Sequence, residues 1–294
     1  MDNNNKISSL QADLILIIVA FIWGSGFVVT KNTLDSMSPL YIMFFRFSIA
    51  AIIASVIFRK HLKSTSKSDI KAGLYMGIVL SIAFAFQTFG LQYTTVGKQA
   101  FLTGTNVVIV PFIYWLISKR KPAINNLTAA ILTFIGIGML TLDFKNDIFM
   151  NTGDVYTLIC AVFFAGHIAI TGFFAQDKNP FVINTLQLIF SAVFFLIAAI
   201  LIDGVTLNFS QGGLLGVSYL GIFSTMICFS LQTFAQKYTL STHAAIILSL
   251  ESVFGSILGV LLLSEVFTPI MVVGCLIIFI GIITAETDWK FLKK

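Results

Sequence analysis

The two halves of this sequence superpose on one another almost without gaps. Displaced by 141 positions, Asp13, Ala20, Thr30, Pro39 and Ile42 fall on Asp154, Ala161, Thr171, Pro180 and Ile183. Displaced by 145, Tyr93, Thr94, Ala100, Val108, Phe134, Ile135, Gly136 and Ile137 fall on Tyr238, Thr239, Ala245, Val253, Phe279, Ile280, Gly281 and Ile282. A repeat in an apolar chain constrains both fold and mechanism. If each copy holds an odd number of membrane spans, the second copy is inserted upside down, and inverted copies commonly enclose a transport site near the bilayer midplane. The number of spans per copy therefore decides the architecture.

With 57% hydrophobic and only 11% charged residues and a mean hydropathy of +0.95, the chain departs sharply from soluble composition, in which about a quarter of residues are charged. It reads as an all-α polytopic membrane protein whose main neighbour is the lipid bilayer. Its net charge of +5 comes from basic residues gathered between apolar runs, which marks topology rather than a nucleic-acid surface. Cys160, Cys228 and Cys275 lie scattered inside apolar runs and form neither a disulfide framework nor a metal motif. The first apolar stretch lacks a small-residue cleavage site, so it is expected to be a retained helix.

Punctuation by charge, Pro, Gly and Asn predicts ten transmembrane spans at 12–30, 39–58, 72–91, 97–117, 125–142, 154–173, 181–202, 212–234, 242–263 and 268–286. Five fall in each copy, so a 5+5 inverted repeat is expected. The corresponding organisation is an N-terminal tail (1–11), a first repeat (12–142), an external linker (143–153), a second repeat (154–286) and a basic tail (287–294). Cationic residues support the same topology. With both termini cytoplasmic, Lys6, Arg59, Lys60, Lys63, Lys67, Lys71, Lys119, Arg120, Lys121, Lys178, Lys237, Lys290, Lys293 and Lys294 lie inside, against Lys31, Lys98 and Lys145 outside. Arg120 and Glu265 are repeat equivalents on opposite faces, and the charge reverses with the face.

Ile22-Trp23-Gly24-Ser25-Gly26-Phe27 resembles the Trp-Gly-Ser-Asn-Phe opening of EamA-type proteins of the drug/metabolite transporter superfamily. So do Ser249-Leu250-Glu251-Ser252-Val253-Phe254, the run from Leu261 to Thr268, Phe101-Leu102-Thr103-Gly104 and Val110-Pro111. Ser252 stands where that family commonly has proline, and Ser264 where it has glycine. The resemblance covers nearly the whole chain. It implies a multi-pass secondary transporter of the cytoplasmic membrane that works by alternating access. It also implies a small-molecule substrate, an amino acid or related compound, with efflux the expected direction. A broad-specificity drug exporter, an uptake permease and, last, a non-transporting membrane enzyme or receptor are the alternatives.

Polar groups at membrane depth need a pore or a partner. Glu251, in span 9, and its repeat equivalent Asn106, in span 4, are expected to face each other near the midplane; backbone bonding at a helix crossing is the other reading of Glu251. Gln99, Thr103 and Asn106 share one helix face. Lys98 either draws anions into an outer vestibule or snorkels to water. Arg46, whose equivalent is Gln187, either binds a substrate carboxylate or reaches the external headgroups. His167, equivalent to Gly26, either carries protons or bonds between helices. Trp23, Gln87 and Gln232 complete the expected lining, while Gln92 and His243 are assigned to the membrane interface and Tyr93 and Tyr238 to anchoring at opposite faces.

Spans 1–4 and 6–9 are expected around the cavity, with 5 and 10 outside it. Glycines at Gly136, Gly138, Gly274 and Gly281 suit close helix packing and would also suit a homodimer contact. No phosphate-binding Gly-rich loop and no His-Glu-x-x-His motif occurs, so neither an enzyme nor a cofactor is expected.

Overall fold

The structure, a computed structural model, describes residues 7–141, 150–205, 209–263 and 268–286. Every regular element among them is helical. In order these are α1 (Ser9–Leu34), α2 (Pro39–Ile57), the short α3 (Arg59–Leu62), α4 (Lys67–Tyr93), α5 (Val96–Gly104), α6 (Asn106–Ser118), α7 (Ile124–Thr141), α8 (Thr152–Asp177), α9 (Pro180–Ile202), α10 (Gln211–Tyr219), a π-helical segment (Leu220–Ile227), α11 (Cys228–Ala235), α12 (Ser241–Leu248), α13 (Leu250–Leu263) and α14 (Pro269–Glu286). Glu265, Ser264, Lys145 and the basic tail fall outside the described residues.

Seven helical runs are long and apolar enough to cross a membrane: Ser9–Leu34, Pro39–Ile57, Lys67–Tyr93, Val96–Ser118, Thr152–Asp177, Pro180–Ile202 and Gln211–Ala235. Predicted spans 5 and 10 hold the shorter apolar helices Ile124–Met139 and Val272–Ala285, and span 9 is shared between α12 and α13.

Local chemistry explains where the helices begin. Ser8, Ser66 and Asn151 each form a reciprocal capping box, with Gln11, Asp69 and Asp154 respectively. Ser38 and Asn179 accept from the first turn while Pro39 and Pro180 occupy its first position, where a missing N–H costs nothing. The outer faces of α1, α2 and α14 carry Leu14, Ile18, Phe21, Ile52, Leu276 and Ile283 exposed, as lipid contact requires.

Two interruptions fall within one residue of repeat-equivalent points. Spans 4 and 9 break between α5 and α6 at Thr105 and between α12 and α13 at Ser249, where hydroxyls turn back on the carbonyls of Leu102 and Ile246. Asn106 opens α6, and Glu251 is the second residue of α13.

Equivalent residues also make equivalent contacts. Phe84 packs edge-on against Phe164, ring centroids 5.1 Å apart, and Phe229 packs in a tilted arrangement against Trp23 at 5.3 Å. Gly77 lies against Gln187 and Phe190, as Gly221 lies against their counterparts Arg46 and Ile49. Gly136 abuts the Gly274 carbonyl and Ile278, and Gly281 abuts the Ala129 carbonyl and Thr133. These glycines are therefore spent inside the chain, joining α7 to α14, and are not left facing outward for a second copy.

The offset between counterparts is 144 at Gly77 and Gly221 but 145 at Phe84 and Phe229. The extra residue lies within the stretch spanned by the π segment. Widening the helix to i→i+5 bonds absorbs one residue without ending the helix, and it changes which groups α10–α11 presents inward.

Candidate functional site

A central cavity opens between α1, α2, α4, the α5–α6 pair, α8, the α10–α11 run and the α12–α13 pair. Its empty volume, mouth included, is about 740 Å³. Trp23, Arg46, Gln87, Thr103, Asn106, His167, Gln232 and Glu251 all line it, among apolar walls that include Phe27, Phe84 and Phe164. Gln99 and Gln187 do not, and α9 supplies no lining side chain.

Two glycines beside Trp23 let neighbouring helices come close. A Cβ at Gly24 would stand 2.8 Å from the Gly255 nitrogen and 2.9 Å from the Glu251 carbonyl. One at Gly26 would stand 3.0 Å from Ser224 Oγ. The space at Gly26 is filled in the other half by His167, its repeat equivalent, so the cavity wall is asymmetric here.

The π segment supplies the partners of two key side chains. The indole N–H of Trp23 donates to the Ser224 carbonyl at 2.9 Å. Arg46 Nε donates to Thr225 Oγ1 at 2.8 Å, and Nη2 donates to Ser224 Oγ at 3.2 Å. The guanidinium carbon stands 4.5 Å from the Phe84 ring centroid, a cation–π contact. Arg46 is only 3% exposed and makes no ion pair among the described residues. It lines the cavity. Its two donated bonds go to neutral hydroxyls, so its charge is oriented but not neutralised.

Glu251 lines the same cavity, 8% exposed, and no hydrogen bond or ion pair holds its carboxylate among the described residues. An uncompensated buried charge is costly. Two of opposite sign around one cavity are explained if each meets a group that arrives from outside. Gln232, fully buried and lining the same cavity, leaves both its amide nitrogen and oxygen without a protein partner among the described residues. An unsatisfied buried amide points the same way.

Thr103 Oγ1 is likewise without a partner among the described residues, whereas His167 and Gln99 are held by neighbouring residues. His167 Nε2 bonds Gln187 Oε1 at 2.8 Å, and Gln187 Nε2 donates to Asn184 Oδ1 at 2.8 Å. Gln187 thus acts behind His167, and His167 both lines the cavity and ties α8 to α9. Gln99 Nε2 donates to the Gln87 carbonyl at 2.7 Å, while its Oε1 accepts from Thr157 at 3.1 Å. With its amide used on both ends, Gln99 supports the wall instead of forming it.

Lys98 and His243 each have a carboxylate partner that the sequence reading did not give them: Lys98 is buried and meets Asp154 at 2.7 Å, and His243 is buried and meets Asp13 at 3.2 Å. Their nearness to helix starts drew an interfacial reading, because position along a span does not reveal a carboxylate on a neighbouring helix. Ser224 and Thr225 went unnoticed in the sequence, since small hydroxyl residues are common in membrane helices.

Comparison with known proteins follows the same lines. The model of the EamA-like transporter family matches twice, over residues 10–142 and 151–286. A protein of Archaeoglobus fulgidus described as an uncharacterized transporter is 35% identical over 278 residues, covering 94% of this chain and 86% of its own. The uncharacterized transporter YwfM of Bacillus subtilis is 27% identical over 284 residues, covering 92% of each. A crystal structure of 15% identity superposes with a TM-score of 0.77 over 94% of this chain and 97% of its own.

Proposed function

The chain belongs to the EamA-like transporter family and is a membrane transporter, and from that premise we propose that it moves a small zwitterion, an amino acid or related compound, outward across the cytoplasmic membrane. The observation that carries this reading is that Arg46 and Glu251 line one cavity, each buried and without an ionic partner among the described residues. A carboxylate pairs with the planar guanidinium fork, and an ammonium group pairs with Glu251. The aromatic walls at Trp23, Phe27, Phe84 and Phe164 take an apolar side chain.

The architecture proposed for this is ten spans in a 5+5 inverted repeat with both termini cytoplasmic, each repeat forming one structural unit. Equivalent contacts at Phe84–Phe164 and Phe229–Trp23, and the paired breaks at Thr105 and Ser249, support it. Alternating access then comes from rocking one bundle against the other around the cavity.

Flux into and out of proteoliposomes tests the reading. Labelled zwitterionic amino acids should move, while equal concentrations of their decarboxylated amines and deaminated acids should not compete. Equal competition by neutral and cationic drugs would support a broad exporter instead, and net inward accumulation would support an uptake permease.

A further inference from the structure

The two repeats carry the same buried ion pair in different chemical form. Asp13 and Asp154 are equivalent at the 141 offset, and Lys98 and His243 at the 145 offset. The structure pairs them crosswise in the same pattern: Lys98 Nζ to Asp154 Oδ2 at 2.7 Å, and His243 Nε2 to Asp13 Oδ1 at 3.2 Å. Each joins the beginning of a repeat's first helix to the beginning of the broken span of the opposite repeat: α8 to α5, and α1 to α12.

The pairs sit at opposite ends of the molecule. Lys31, near the end of α1, donates to the carbonyls of Leu91 at 2.7 Å and Thr94 at 3.3 Å, beside the Lys98–Asp154 pair. Asp13 lies eighteen residues earlier on the same helix, about 27 Å away at the rise of an α-helix. The cavity lies between them.

They are held unequally. Asp154 accepts from Lys98, from Thr94 Oγ1 at 2.8 Å and from the Asn151 backbone at 2.8 Å. Asp13 accepts from His243 alone among the described residues. Thr239, the counterpart of Thr94, makes no equivalent bond to Asp13. Lysine also keeps its charge, whereas an imidazole is charged only when protonated.

Resting on the alternating-access reading above, we propose that these pairs are the clasps of the two gates, and that the Asp13–His243 clasp parts first. The resting transporter therefore opens towards the end of the molecule that holds Asp13, which is the cytoplasmic side if both termini are inside. A carrier loaded from that side is poised for export.

Single-cysteine accessibility tests this. In a background with Cys160, Cys228 and Cys275 replaced by Ala, reporters Thr30→Cys and Leu248→Cys are placed at cavity-lining positions towards opposite ends. Each is labelled by a membrane-impermeant maleimide in right-side-out and in inverted vesicles. In the parent, Leu248→Cys should label faster from the Asp13 side than Thr30→Cys does from the other. Lys98→Gln should raise Thr30→Cys labelling and lower that of Leu248→Cys. His243→Gln should do the reverse. Thr94→Val keeps both charges and decides the matter if Lys98→Gln fails to fold; it should shift the ratio in the same direction as Lys98→Gln, about threefold, as loss of one hydrogen bond implies. A sided parent whose ratio ignores these changes, or moves the same way in all of them, overturns the clasps. Both reporters labelling equally from both sides in the parent overturns alternating access itself.

Discussion

Trp23 and Ser224 lie 201 residues apart in the chain, yet the indole N–H of one meets the backbone carbonyl of the other at 2.9 Å. The carbonyl lies in the π segment, and an acceptor there serves a donor the first repeat brings to the same place. Phe164, the equivalent of Trp23, has no side-chain N–H, and α4 correspondingly runs as an uninterrupted α-helix over Lys67–Tyr93.

Trp23→Phe therefore removes a donor while keeping most of the ring packing against Phe229. A buried carbonyl losing its partner costs about 1–3 kcal/mol, and the site it shapes should loosen. Substrate KM should rise more than the melting temperature of the ligand-free protein falls, measured by flux and by thermal unfolding.

Thr225→Val deletes the acceptor of Arg46 Nε at nearly constant side-chain volume. The guanidinium should lose its orientation but keep its charge. Affinity for the transported zwitterion should fall roughly tenfold, as expected for one hydrogen bond to a charged group, with maximal flux much less affected. An unchanged KM would show that the π segment does not position Arg46.

Gln99 should behave as a structural residue. Gln99→Leu removes the side-chain donor to the Gln87 carbonyl and the acceptor of Thr157, so stability should drop by about 0.5–1.5 kcal/mol. The ratio of substrate affinity to that of a competing analogue should stay at the parental value. A change in that ratio would return Gln99 to the cavity lining.

Packing at the crossing of α7 and α14 predicts a sharp contrast between glycines. A Cβ at Gly136 would fall 2.8 Å from the Gly274 carbonyl and 2.9 Å from the Ile278 nitrogen, backbone atoms that cannot step aside. Gly136→Ala should destabilise by about 1–3 kcal/mol despite the better helix propensity of alanine. At Gly212 the nearest atom to a new Cβ is 4.0 Å away, so Gly212→Ala should be neutral or slightly stabilising. Thermal melts of both variants give the comparison.

Much of this organisation was legible in the sequence, because membrane helices advertise themselves by length and punctuation. Trp23, Arg46, Asn106 and Glu251 could be nominated from polarity at membrane depth alone, and the structure gathers them around one cavity. The π segment was hidden because one inserted residue leaves the apolar pattern intact. Its trace was the change of repeat offset between Gly77/Gly221 and Phe84/Phe229. The buried pairs of Lys98 and His243 were equally traceable, since the repeat maps each acid onto an acid and each cation onto a basic side chain. What no one-dimensional pattern supplies is which helices cross. Gln99 shares a face with the cavity residues Thr103 and Asn106 and is still turned to its neighbours, and Gln187 lies on α9, which lines no part of the cavity.

The central claim is that Arg46 and Glu251 together read a zwitterion. Calorimetric titration of purified wild type, Arg46→Gln and Glu251→Gln with a transported amino acid, its amide and its deaminated acid tests it most directly. The account predicts that wild type prefers the amino acid over both analogues. Arg46→Gln should lose discrimination against the amide, and Glu251→Gln against the deaminated acid, each by about tenfold or more, as loss of a charge-assisted bond implies. Equal binding of all three forms by the wild-type protein, or identical selectivity in both variants, would contradict it.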